Sequence, residues 1–286
     1  MCGSLARPSK ARTCACSTSR RRRHSTTRRC TVLRHSLAVA AIDARILWRD
    51  PSPVVVMTVI PLVFVPFFVP GARGQLAAAG YASASGVEYA VPGLAVLFAL
   101  LCVQQVVTAF FRDHQWGTWD RLRTSPARSV DLLLGKSLTA FAAQLLQFVA
   151  VLLGGALLFG YRPNGSVLGL VLVLVAFSAA MIGFGLLLVS ASRSLELALV
   201  IGNMLAMLMA GIGGAFGPVE SLPTWMQTIA PASPAYWALQ AMRSLTLDHA
   251  GALDTLGPSM ALFGFAAGFV LLAVALLALR RRKGIS

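Results

Sequence analysis

Long apolar runs broken by short polar ones dominate the chain after about residue 50. Six windows approach the roughly 20 apolar residues a helix needs to cross a hydrocarbon core: about 53–70, 89–111, 132–160, 166–190, 197–217 and 257–279. The first is short and carries Pro53, Pro61, Pro66 and Pro70. Each proline removes a backbone donor, so the pattern predicts a helix that is kinked or starts before Pro53. The third is longer than one crossing requires, which places its first residues in the interface. Before the spans, Val32, Leu33, Leu37, Val39, Ala40, Ile46, Leu47 and Trp48 recur among Arg34, Asp43, Arg45, Arg49 and Asp50. That pattern predicts an amphipathic interfacial helix over residues 32–50. Residues 1–31 are rich in Ser, Thr, Arg and Cys, show no apolar period and read as a disordered basic arm.

The expected fold is therefore all-α and polytopic, with six transmembrane helices in a domain covering residues 32–283. Composition agrees. Charged residues make up 12% of the 286-residue chain and hydrophobic ones 57%, with a mean hydropathy of +0.73. Soluble domains carry about 25% charged residues.

The net charge of +15 could suggest nucleic acid, but its placement argues against that and no nucleic-acid reading motif accompanies it. With the N-terminus inside and six crossings, residues 1–52, 112–136, 191–196 and 280–286 lie on one side and hold 22 of the 25 Lys and Arg. Only Arg73, Arg162 and Arg243 lie on the other. The positive-inside rule then predicts both termini in the cytoplasm. The run Ala82-Ser83-Ala84 after an apolar stretch mimics a signal-cleavage site, but a 50-residue arm and four prolines do not suit a signal peptide, so the segment is expected to be retained.

Most chemistry is missing. Gly135-Lys136-Ser137 ends like a phosphate-binding loop, yet Val130 stands where the first glycine is required. Lys136 reads instead as a residue reaching its amine to the interface. None of His24, His35, His114 and His249 lies in a predicted span, and the ten carboxylates sit in loops and span ends. No catalytic pair, proton relay, metal motif or cofactor pattern is readable. Cys2, Cys14, Cys16 and Cys30 lack the paired spacing of a zinc module, and Cys102 reads as a buried small hydrophobe.

Uncharged polarity remains inside the spans: Gln104, Gln105 and Thr108 in the second, Gln144 and Gln147 on one face of the third, Ser178 in the fourth and Asn203 in the fifth. Interhelical hydrogen bonding is the first reading of these groups and substrate contact the second. Gly213 with Gly217, and Gly264 with Gly268, suggest close helix packing.

The polar loop after the second span reads Phe111-Arg112-Asp113-His114-Gln115-Trp116-Gly117-Thr118-Trp119-Asp120-Arg121-Leu122-Arg123-Thr124-Ser125-Pro126. Gly117 breaks the preceding helix, Thr118 caps a short new one and Pro126 stops it. Trp119, Leu122 and Arg123 then share a side, forming a projecting knob. The stretch Gly117–Pro126, followed by Leu134-Gly135-Lys136, resembles the cytoplasmic loop of type-2 ATP-binding-cassette (ABC) export permeases, most closely the daunorubicin-resistance-like branch. The chain departs from that pattern in Asp113 upstream and in Trp119, where an aliphatic residue is usual. Gly217-Pro218, Leu222-Pro223-Thr224-Trp225, Ile229, Pro231, Pro234, Tyr236-Trp237 and Arg243 resemble the family's segment between its fifth and sixth spans, where two short helices dip back toward the bilayer.

The resemblance implies half a transporter in a bacterial plasma membrane. A second permease copy, as a homodimer, would complete the path, and two separate ATPase subunits would bind ATP. Cargo would be amphipathic drugs, natural products or lipids, giving drug efflux or antibiotic resistance. Asp113, Gly117, Thr118, Trp119, Leu122, Arg123 and Pro126 would form the ATPase-docking loop. Pro218, Pro223, Trp225, Pro234, Tyr236 and Trp237 would form an external re-entrant segment. The alternative is a membrane scaffold that moves no substrate.

Overall fold

A computed structural model describes residues 45, 52–78, 80–81, 84–115, 129–163, 165–248 and 251–282. The predicted arm at 1–31, nearly all of the predicted interfacial helix at 32–50 and the knob at 116–128 lie outside them.

All regular structure among the described residues is helical. The long elements are α1 (Ser52–Ala78), α2 (Val87–Leu101), α3 (Val103–Gln115), α4 (Ser129–Phe159), α5 (Val167–Ala191) and α6 (Leu195–Ile212). A connecting segment follows with a 3-10 turn at Val219–Ser221, α7 (Thr224–Ile229), a second 3-10 turn at Ala230–Ala232 and α8 (Pro234–Leu247). The chain then enters α9 (Leu256–Arg282). Six helices are long and apolar enough to cross a membrane: Val55–Ala78, Val87–Phe111, Gly135–Phe159, Val167–Ala191, Leu195–Ile212 and Leu256–Arg280. The second is α2 and α3 together. The first span thus starts, and the sixth finishes, at one end of the bundle, the basic end, where Lys136 and Arg280 lie. Tyr81, Tyr161 and Asp248 mark the opposite, polar end.

Helix α1 starts at Ser52, ahead of Pro53 as one expected alternative has it, and differs from expectation in its end. It runs unbroken through Pro61, Pro66 and Pro70 to Ala78. In lipid, a carbonyl orphaned by proline must find a donor elsewhere. The carbonyl four residues before Pro61 belongs to Met57, and it accepts from Gln147 Nε2 of α4 at 3.3 Å. The helix ends on Gly80, whose φ of 96° allows the Tyr81 N–H to reach back to Leu76 O at 2.9 Å and the Gly80 N–H to Ala77 O at 3.2 Å. That is the paired bond set of a Schellman stop.

Helix α6 stops in the same way, and at Ile212 rather than residue 217. Gly214 has φ 91°, with Ala215 N on Ala210 O at 2.9 Å and Gly214 N on Gly211 O at 3.3 Å. Gly213 and Gly217 therefore sit in the turn after α6, and the close packing expected of them is made there: a Cβ on Gly213 would stand 2.6 Å from Ala235 Cβ of α8, and one on Gly217 would clash with the Gln75 side chain of α1. Gly264 and Gly268 make no such contact among the described residues, since nothing beyond their own stretch of helix lies within 4 Å of a Cβ built on either.

Helix α5 is the axis of the bundle: 61% of its most apolar window is buried, against 11% for α9 and 17% for α1. Lipid is as apolar as leucine, so close van der Waals fit rather than water exclusion holds such helices together. Small buried residues provide that fit: Ala176 and Ala180 on α5, Ala198, Ala206 and Ala210 on α6, and Ala235, Ala238 and Ala241 on α8. Phe148 of α4 meets Phe177 of α5 edge-on at 5.7 Å. At the basic end, the Arg280 guanidinium donates to Ala191 O at 2.6 Å and Ser192 O at 3.3 Å. A cation there complements the negative C-terminal end of α5.

Candidate functional site

Two polar constellations stand out in an otherwise apolar bundle. The first lies within the spans. Helices α2 and α3 are separated by Cys102, and a helix end leaves its last carbonyls without intrahelical donors. Gln144 Nε2 of α4 donates to one of them, Ala99 O, at 2.9 Å. One turn along α4, Gln147 donates to Met57 O, and its Oε1 accepts from Cys102 Sγ at 3.4 Å. Gln144 and Gln147 are 3% and 2% exposed, so both amides are spent on backbone that proline or a helix break would otherwise leave unpaired.

Gln104 and Asn203 are placed differently. Gln104 Nε2 donates to Asn203 Oδ1, joining α3 to α6. Both residues are only half-buried. Among the described residues, no partner meets the other ends of the pair, Gln104 Oε1 and Asn203 Nδ2. Gln105 makes a long contact to Cys102 Sγ at 3.9 Å, and Thr108 Oγ1 donates to Gln104 O at 2.8 Å. Exposed Met204 and Met207 flank Asn203 on α6. Lys136, expected to reach its amine to the interface, lies at the start of the third span and is buried, with its Nζ on Ala109 O near the end of the second at 3.0 Å.

The second constellation closes the polar end. Ser233 caps α8 by accepting from Ala235 N at 3.2 Å, and its Oγ donates to Met209 O of α6 at 2.7 Å. Pro234, with no N–H to satisfy, opens the helix. Ala235, Ala238, Met242 and Leu245 then face inward at helical spacing, packing α8 against α2, α5 and α9. On its less buried side, Arg243 Nη1 meets Glu220 Oε1 at 2.7 Å, and the guanidinium lies 5.5 Å from the Tyr81 ring centre. The Tyr81 hydroxyl donates to Asp248 Oδ1 at 2.9 Å, and that of Tyr89 donates to Gly214 O at 2.5 Å. Partial burial opposes the charge on both partners of the ion pair. Hydrogen bonding more than offsets it, so Glu220 lies below the usual carboxylate range and Arg243 above its own usual range. These residues, with Tyr236, Gln240 and Ser244, line a cavity of about 260 Å³.

The remaining residues singled out from sequence are scattered. Pro218 and Pro223 precede the first 3-10 turn and α7, Trp225 is 61% exposed, and Trp237 donates to Pro231 O at 2.9 Å and stacks edge-on with Tyr236. Asp113 lies on α3. Gly117, Thr118, Trp119, Leu122, Arg123 and Pro126 lie outside the described residues. Sequence reading missed Tyr81, Glu220 and Asp248. Tyr81 and Asp248 are 167 residues apart, and only the Gly80 stop hints that Tyr81 is aimed.

Residues 36–247, the greater part of the chain, match the ABC-2 type transporter family. The chain belongs to that family. This ABC-2 chain is similar to the linearmycin resistance permease protein LnrN of Bacillus subtilis, with 29% identity over 199 residues, 70% of this chain and 51% of LnrN. It is similar to the probable multidrug ABC transporter permease YbhR of Escherichia coli K12, with 26% identity over 147 residues, 51% of this chain and 40% of YbhR. It is also similar to the daunorubicin resistance ABC transporter permease protein DrrB1 of Streptomyces coeruleorubidus, with 28% identity over 222 residues, 73% of this chain and 76% of DrrB1. The ABC-2 chain spans about half the length of LnrN and less of YbhR. With six spans and these bacterial relatives, it is a multi-pass membrane protein.

Proposed function

We propose that the chain is the membrane-spanning permease subunit of an ATP-driven exporter of amphipathic drugs, natural products or lipids. The observation that carries this reading is the family match over residues 36–247, shared with relatives described as resistance permeases. Charge placement supports a cytoplasmic basic end, because 22 of 25 basic residues would then face inward. The sequence lacks a complete phosphate-binding loop, so ATP would be bound by separate ATPase subunits beneath that end. The knob at 117–126 would receive them, and their closure would move the spans as rigid bodies and alternate access to the path. A second copy of this chain would enclose the path from the other side.

Co-expression with an ABC ATPase subunit tests the docking. The pair should co-purify, and Trp119→Asp should lower recovery of the ATPase. Loss of a buried aromatic anchor costs about 2 kcal/mol or more, roughly a thirtyfold loss of affinity. Unchanged recovery and unchanged transport would count against this docking site. Proteoliposomes that bind the ATPase yet move no fluorescent amphiphile would favour the scaffold.

The half-exposed Gln104–Asn203 pair supports a path along α3 and α6. Free amide groups at membrane depth face protein, water or cargo rather than lipid. Beside them Met204 and Met207 provide the adaptable apolar contact that varied cargo needs. Asn203→Leu is expected to change the relative transport rates of polar and apolar amphiphiles several-fold. Its stability cost should stay near the ~0.6 kcal/mol average for interhelical bonds. A large fall in melting temperature with unchanged selectivity would make the pair structural.

A further inference from the structure

The polar-end network joins parts of the chain that are far apart in sequence, and its geometry decides what it is for. The cavity it lines, about 260 Å³, falls below the roughly 300–1,000 Å³ of sites that enclose drug-sized ligands. Its charged groups already face one another, with Arg243 on Glu220 and on the Tyr81 ring, and Tyr81 on Asp248. It is therefore better built to hold the protein together than to hold cargo.

What it holds is specific. Tyr81 follows the stop of α1, Glu220 sits on the 3-10 turn after α6, and Arg243 and Asp248 belong to α8 and its end. Covalent connection does not keep these parts together. The α1 stop reaches the next span through a short loop, whereas the other two parts belong to the connection between α6 and α9. Each tie is of an exchangeable kind. The Glu220 side chain is 64% exposed and that of Arg243 22%, so water can replace either partner. Exposed ion pairs contribute little stability. The buried contacts beside them behave differently. Tyr89 on Gly214 and Ser233 on Met209 fix the turn after α6 and the start of α8 to the bundle. Both halves of α8 are thus anchored, the near half by Ser233 and the far half by inward-facing Met242, Leu245 and Thr246, the last against the Tyr161 hydroxyl at 3.1 Å, whereas the exposed 219–221 turn is held to α8 by the Glu220–Arg243 pair.

We propose that Arg243 is the bolt of a latch at the polar end, positioning the 219–221 turn against α8 and the end of α1. The latch is closed in this structure, and its release opens the exit of the path. The inference rests on the exporter reading only for what passes through the exit; the latch itself is testable without transport.

The test places a reporter thiol in the cavity wall as Ser244→Cys, in full-length protein in nanodiscs without nucleotide, and measures its labelling by a bulky maleimide above the background of the parent chain. With the latch intact, labelling is expected to be slow. Adding Arg243→Glu, or Glu220→Arg, should raise the rate about tenfold, and the exchanged pair Glu220→Arg/Arg243→Glu should return it to the slow rate. Rescue by exchange separates a latch from general damage, and a size-exclusion profile and melting curve on each variant confirm folding. Equal labelling of folded single variants and parent, or an exchanged pair that stays fast, would overturn the latch. Adding the ATPase subunit and ATP then addresses the exporter reading. If labelling shows the latch but ATP never accelerates it, the coupling fails while the latch stands.

Discussion

Gln147→Leu is expected to lower the unfolding free energy by about 1–2 kcal/mol, and adding Pro61→Ala to restore most of the loss. Proline at 61 takes from Met57 O the donor that any other residue would supply from the next turn. Gln147 supplies it from α4 at 3.3 Å. Leucine fills similar space but leaves the carbonyl without the donor that the buried Gln147 side chain supplies, and it also removes the acceptor of the Cys102 thiol. Alanine at 61 returns an N–H to the helix, so the Met57 carbonyl no longer needs the amide. Pro61→Ala alone should be close to neutral. The four proteins form a double-mutant cycle, read by reversible unfolding in mixed micelles. A double variant no more stable than Gln147→Leu would show that the amide serves some purpose other than the proline.

Gly93→Ala should cost about 1–3 kcal/mol, whereas Gly264→Ala, also within a span, should be neutral or slightly stabilising. A Cβ on Gly93 would stand 2.5 Å from the Ala215 carbonyl oxygen. That oxygen is backbone and cannot rotate away, and its turn is held by the Schellman bonds and by Tyr89 on Gly214. The strain therefore has to be relieved by shifting α2 away from the turn after α6. A Cβ on Gly264 meets nothing within 4 Å, so only the intrinsic helix preference for alanine is felt. Melting temperature and expression level of the two variants, measured side by side, check the contrast. A neutral Gly93→Ala would mean that α2 and the turn are not in contact as described. A destabilising Gly264→Ala would mean that another surface, such as a second copy of the chain, packs on α9.

The chain's membrane character and its number of crossings were legible from hydropathy alone. A hydrocarbon-length run can satisfy its backbone in lipid only as a helix, and that rule needs no partner. All six predicted windows correspond to helices of spanning length. Their ends were less legible. The stop of α6 at Ile212 is set by Gly214 adopting positive φ, and sequence offered Gly211, Gly213, Gly214 and Gly217 without choosing among them. The persistence of α1 through Pro61 was not legible, because the Met57 carbonyl takes its donor from Gln147 of α4.

The same limit applies to the polar residues. Sequence could find the glutamines and Asn203 but not divide them. Gln144 and Gln147 are committed to backbone carbonyls, while the outer ends of half-buried Gln104 and Asn203 meet no partner among the described residues. That division depends on which helices lie side by side, a matter of packing rather than of periodicity. Arg243 was visible as one of few basic residues on its side, but its partners Tyr81 and Glu220 were not. Hydrophobicity and length are properties of a single segment and determine how often the chain crosses. Hydrogen-bond partnership is a property of two segments, and the tertiary structure alone brings them together.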